Sequence, residues 1–266
     1  MMKKILFFLL LAVFSLDVSA QAPSKKCPVC GLSIPKCQYK GKHPKKNPNP
    51  TPPAQQQPSK PAKPAAKPRP TTGTLNGYDW VDLGLSVKWA TQNVGADSPS
   101  DYGDYFAWGE TRPKSRYDDS NCFDCLDGKY DGRWGTYRLG GQTRIPPTSG
   151  HDTARENWGG TWRMPTIAEF DELFNKKNCD WTWTSQGGHN GYLVTSKING
   201  NSIFLPAAGW HRSTDTHCEG ENGYYWSSTL SSSYSYGACR LFFNSNIHFT
   251  DYNFRRGGQS VRPVTK

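Results

Sequence analysis

The sequence predicts an α+β domain of short, twisted, mostly antiparallel strands with few helices and much irregular loop, preceded by a disordered Pro/Lys-rich linker. Three observations lead there. Short apolar and aromatic runs recur between clusters of Gly, Asn, Asp and Ser. The Asn199-Gly200 dipeptide separates two of these runs, a strong hairpin signal. Helix signals are few but well marked, so helices should pack against strands rather than form a bundle.

Taken in order, residues 1–20 read as a secretory signal peptide. Lys3 and Lys4 precede the apolar run Ile5 to Phe14, and Val18-Ser19-Ala20 supplies small residues before Gln21. A transmembrane anchor would need roughly 20 apolar residues, about twice that run. The first cysteine, Cys27, lies downstream of the expected cleavage point, which argues against a lipid anchor. The expectation is an exported chain in the periplasm, at the cell surface or outside the cell.

Residues 21–43 contain Cys27, Cys30, Cys37 and His43. The CxxC knuckle with Cys37 and His43 could close a tetrahedral Cys₃His zinc site. Disulfide formation is the competing chemistry for exported thiols. Either way the segment is a structural clip. Residues 44–74 are rich in Pro, Lys, Ala, Gln and Asn and hold too little apolar surface to offset ordering entropy, so they should act as a disordered spacer. Fully extended at ~3.1 Å per residue, that spacer reaches up to ~90 Å.

The charge divides unevenly. Of 32 basic and 22 acidic residues, 13 basic and one acidic fall in residues 1–74, which leaves the remainder with a net charge of −2. A nucleic-acid-binding surface would place the excess on the folded part, so that class is excluded. The basic tail could still make weak, salt-sensitive contact with anionic envelope surfaces.

Residues 75–266 form the expected domain and hold every Trp. Strands are predicted at Tyr78–Leu83, Val87–Val94, Gly191–Ile198, Ser202–Leu205, Tyr224–Ser228, Cys239–Phe243, Asn246–Thr250 and Gln259–Val264. Thr166 followed by Glu169 is a capping box, and Ile167, Phe170, Leu173 and Phe174 share one helical face behind it. A shorter helix is expected over Asp152–Asn157. Trp89, Trp108, Trp162 and Trp226 lie in apolar or Gly-flanked surroundings and read as core.

The run Trp158-Gly-Gly-Thr-Trp-Arg-Met-Pro-Thr166, continuing to Glu169 and Phe170, resembles the signature of formylglycine-generating-enzyme-like domains, which have a C-type-lectin-like fold. Closer still is the Fibrobacter succinogenes major paralogous domain of exported Bacteroidetes proteins. That resemblance runs through Trp80 to Ala90, Asp101 to Glu110, Ile203 to Gly209, Tyr225 to Ser228 and Ser260 to Val264, in family order. It implies a lectin-like fold with its N- and C-terminal strands brought together, and no settled activity.

Catalytic carry-over from the formylglycine-generating type fails, because Cys239 lacks the flanking pattern and the cysteine partner. Cys122-x-x-Cys125 has acidic neighbours and no βαβ context, so it reads as a loop disulfide or metal clip. Cys218 with Cys239 is the expected staple. His211 and His217 show no ligand spacing. The acids Asp101, Asp104, Asp118 and Asp119 carry no ordered calcium-loop code, which leaves calcium unassigned.

What remains is a polar-aromatic surface in the last third: Trp210, His211 and Arg212; Tyr234 and Tyr236; Asn244 and Asn246; Tyr252, Asn253, Arg255 and Arg256. Such residues give large contact area with adaptable hydrogen bonding. The expectation is a non-enzymatic module that binds a glycan or a protein ligand there. The rival expectations are an envelope-assembly protein acting through its basic tail, and a formylglycine-generating-type enzyme.

Overall fold

The computed structural model describes residues 71–122, 142–234 and 236–266, and the backbone of 125–126 and 129–130. All of them belong to the second of two units into which the chain divides, Ala65–Lys266. The expected signal peptide, the Cys27, Cys30, Cys37 and His43 clip, and the linker as far as residue 70 lie outside the described residues. The described part is mostly antiparallel sheet with few helices. No helix among the described residues is long and apolar enough to cross a membrane.

The first sheet joins both ends of the domain. Its order is β1 (Thr72–Leu75), β2 (Tyr78–Asp82), β3 (Lys88–Ala90) and finally β14 (Val264–Thr265). Asn76 and Gly77 turn β1 into β2 with φ of 50° and 82°, left-handed values that an Asn-Gly pair adopts at little cost. Strand β1 thus begins at Thr72, inside the stretch expected to be linker. It is held there by Asp82 N–H donating to Thr71 O at 2.8 Å.

A short pair, β4 (Cys125–Leu126) and β5 (Lys129–Tyr130), precedes the two helices. Helix α1 (Thr153–Trp158) is capped by Asp152, and α2 (Ile167–Phe174) carries the full capping box of Thr166 and Glu169. Arg163 grips Glu169 with both guanidinium nitrogens, Nη1 at 2.8 Å, and so ties the Trp-Arg-Met-Pro segment to the start of α2.

The second sheet runs β6 (Cys179–Gln186), β7 (His189–Ser196) and β8 (Ser202–Pro206). Strand β6 was not among the expected strands, although Trp181 and Trp183 alternate with Thr182 and Thr184 at strand period. Asn199-Gly200 lies in the connection of β7 to β8, as the hairpin signal predicts.

The hairpin β9 (Trp210–Arg212) and β10 (Asp215–His217) leads to the third sheet, β11 (Asn222–Leu230), β12 (Gly237–Asn244) and β13 (His248–Phe254). Strand β13 runs four residues beyond the expected Thr250, so Tyr252 and Asn253 sit on a strand rather than a loop. The expected strand Gln259–Val264 is instead a clamped extended segment. Gln259 bridges Phe106, Ser260 bridges Tyr225, and only its end becomes β14. Pro263 has no N–H to offer a ladder, which limits pairing there.

Strand β11 separates two apolar clusters. Tyr225 packs with Trp89, Phe170, Leu241 and Phe243, while Trp226 packs with Phe106, Trp108, Trp158 and Trp162. Trp89, Trp108, Trp162 and Trp226 are all at most 1% exposed, which makes them core as expected. Three of their indole N–H groups reach carbonyls: Trp108 to Ser227, Trp162 to Leu75 and Trp226 to Phe106. Arg262 is also fully buried. It donates to Asn93 Oδ1 at 2.8 Å and to the carbonyls of Ala90 and Thr91, so backbone and amide dipoles face its charge.

Candidate functional site

Two separate stretches of chain build one cleft. The β9–β10 hairpin supplies Trp210 and Arg212, and the end of β13 with its continuation supplies Asn253, Phe254, Arg256 and Gly257. Tyr117 completes the wall, and the cleft volume is about 200 Å³.

Backbone pairing holds these pieces in register. His211 and Gly258 exchange N–H···O bonds at 2.8 and 3.0 Å, and Tyr117 and Ser213 exchange a pair at 2.8 Å each. Gly258 is required for the first pairing, since a Cβ there would stand 2.9 Å from both His211 Cβ and Tyr117 Cε1. Ser213 turns the hairpin with φ of 54°. Tyr117 is buried and its hydroxyl donates to Tyr105 O, so burial pushes its phenol up to about 12 and it serves as a rigid neutral wall.

The charged groups differ in how they are held. Arg256 contacts Asp119 Oδ1 at 2.6 Å, and its guanidinium lies 4.4 Å over the Phe254 ring. Tyr236 stacks on Phe254 at 4.8 Å, so that ring is packed on by both neighbours. Arg212 is exposed, and no ion pair is formed by it among the described residues. Asn253 Oδ1 accepts the Phe254 N–H at 2.8 Å. That contact fixes the amide orientation, because only the oxygen can meet an N–H.

An aromatic ridge continues from the cleft. Tyr234 stacks on Tyr252 at 4.2 Å and lies 5.5 Å from Tyr236. Tyr234, Tyr252 and Phe254 are each about two-fifths exposed, at 38%, 39% and 41%. The hydrogen bond to Tyr234 is the main reason the Tyr252 phenol is pushed up to about 12.

Of the residues expected to bind ligand, Trp210, Arg212, Asn253 and Arg256 line the cleft, and Tyr234, Tyr236 and Tyr252 form the adjoining ridge. The other four lie elsewhere. His211 packs between Tyr105 and Tyr117, and burial lowers its pKa. Asn244 caps the β12–β13 turn by accepting from Asn246 and Ile247 N–H, which places both asparagines at the opposite end of the hairpin from Phe254. Seven paired residues separate the two ends, roughly 20 Å of strand. Arg255 is 1% exposed, a core residue whose carbonyl accepts Trp108 N–H.

The expected Cys218–Cys239 staple is absent, and both thiols are free. Register explains why. The Cys218 turn precedes Asn222, which pairs with Asn244, while Cys239 is five residues further along β12. That is roughly 17 Å of strand, well past the ~7 Å Cα limit for a disulfide. Of the Cys122-x-x-Cys125 pair, Cys122 is buried and the Cys125 side chain lies outside the described residues.

Among the described residues no group of three or more His, Cys, Asp or Glu could hold a metal ion. Asp118 is held by Ser120 and Arg116, which lower its pKa to about 2, and Asp119 turns to Arg256. Tyr117, Phe254 and Gly257 complete the cleft without having been expected there. Phe254 was within reach of the sequence, as it continues the period of Tyr252. Tyr117 was not, since its place depends on a bridge to a residue far along the chain.

Comparisons with curated proteins and with solved structures give no match. Residues 189–264, from β7 into β14 and including every cleft residue except Tyr117, are similar to a family described as Domain of unknown function (DUF8237).

Proposed function

We propose that this chain is an exported, non-enzymatic binding module of C-type-lectin-like fold, akin to the Fibrobacter succinogenes major paralogous domain. It is carried on a Pro/Lys spacer and recognises a glycan or a protein surface. The observation that carries the reading is the convergence of Trp210, Arg212, Asn253 and Arg256 on one cleft, extended by the exposed Tyr234–Tyr252 stack. A cleft lined by aromatic side chains and a few fixed polar groups is the usual form of a small-ligand site. Preorganisation by Asp119, Phe254 and the Tyr117–Ser213 bridge lowers the entropy cost of binding.

The non-enzymatic part draws support from Cys239. Burial, with Asp251 and Asp171 nearby, raises its pKa, the opposite of what an activated nucleophile needs. The test is binding of the mature chain to a broad glycan array beside Trp210→Ala. Specific signal reduced at least tenfold in a variant with unchanged melting supports the cleft. Equal binding by the two proteins rejects it.

A further inference from the structure

The geometry points to an acidic sugar as the ligand, a pyranose bearing a carboxylate, with Arg212 selecting the charge. This rests on the cleft being the binding site. The cleft is lined by two cations and no carboxylate. Arg256 is already matched by Asp119. Among the described residues Arg212 has no ion-pair partner: Asp215 is its cross-strand neighbour in the hairpin, yet no ion pair joins them, and Asp215 accepts from Thr214 Oγ1 instead. Among the described residues the uncompensated charge at the cleft is therefore that of Arg212, on a domain whose overall balance is slightly acidic.

The neutral polar group adds to the same demand. Asn253 Oδ1 already accepts Phe254 N–H, which sets the amide's orientation, and its Nδ2 carries two donors that a ligand acceptor can meet. Arg212 and Asn253 together call for an acceptor-rich anion. A planar guanidinium meets a carboxylate through two parallel hydrogen bonds.

Size and aromatic lining favour a sugar over an acidic peptide. About 200 Å³ falls below the roughly 300–1,000 Å³ that drug-sized ligands occupy, so the cleft takes a single ring. Trp210 and Phe254 supply aromatic lining of the kind that suits the C–H face of such a ring.

The test is calorimetric titration of the mature chain with short galacturonate, glucuronate and N-acetylneuraminate oligosaccharides, each beside its methyl ester, and with an oligoglutamate peptide. Arg212→Gln and Gly257→Leu are titrated in parallel. The basic tail is the same in every protein, so it contributes equally. The expected result is that at least one acid binds tenfold or more tighter than its ester, and that Arg212→Gln brings the ratio close to one. Gly257→Leu, which fills the cleft without altering charge, should abolish binding of both forms. Equal affinity for acid and ester, lost in Gly257→Leu, overturns the acidic-sugar inference and leaves the cleft standing. Binding that survives Gly257→Leu overturns the cleft itself. Tighter binding of oligoglutamate, or no binding of any acidic sugar, also overturns the inference.

Discussion

Asp152 shows how much one buried carboxylate can organise. It caps α1 through Arg155 N–H and accepts Met164 N–H with both oxygens at 3.0 Å, so it fastens the helix to the Trp-Arg-Met-Pro segment. Burial outweighs those hydrogen bonds and pushes its pKa up to about 7, against an ordinary value near 4. Because the folded-state pKa lies above the unfolded one, the native state holds the extra proton between those limits. The stability that Asp152 contributes is present below about pH 4 and is lost as pH rises through about 7. Relative to Asp152→Asn, the natural protein should therefore lose stability from pH 4 to pH 7 in urea denaturation. A difference that stays flat across that range would contradict the raised pKa.

Among the elements, α2 is the one most readily read from its own residues. Thr166 Oγ1 accepts Glu169 N–H, Glu169 Oε2 accepts Thr166 N–H, and the apolar face of Phe170 and Leu173 is buried as the spacing requires. Thr166→Ala should cost about 0.5–2 kcal/mol, read from the denaturation midpoint at unchanged slope. Helix caps and period are local signals, and this is why α1 and α2 were legible. Strand β6 carries an equally local signal, Trp181 and Trp183 alternating with Thr182 and Thr184, although it is not among the expected strands. The segment from Gln259 to Pro263 could not have been read, because its shape comes from partners on three separate stretches: Ala90 and Val94, Phe106, and Tyr225. Residue type reports burial there, but not pairing.

At the scale of the whole molecule, composition pointed to the last third of the chain, which supplies all of the cleft lining but Tyr117, without sorting the residues in it. Trp210 and Arg256 meet because His211 pairs with Gly258, a contact with no sequence signature. Asn244 and Asn246 look like Asn253 in composition, and only the length of β13 separates them. Arg255 and Arg256 are adjacent and chemically identical, yet one enters the core and the other lines the cleft. The conformation that follows a strand end decides that, and it is invisible in the residue names.

The β1-β2-β3-β14 sheet carries a consequence for how the chain could be rewired. Thr72 and Thr265 lie three strand spacings apart, roughly 14 Å at about 4.8 Å each. A short Gly/Ser linker could join Lys266 to Thr71, with new ends opened between Gly187 and Gly188, where β6 turns into β7 at an exposed pair. Such a circular permutant of residues 71–266 should melt cooperatively within a few degrees of its unpermuted parent, followed by circular dichroism. Failure to fold would assign the β6–β7 turn a directing role in assembly. Success would move the free ends to the β6–β7 turn, and the cleft could then be presented from that different attachment point with its two halves unchanged.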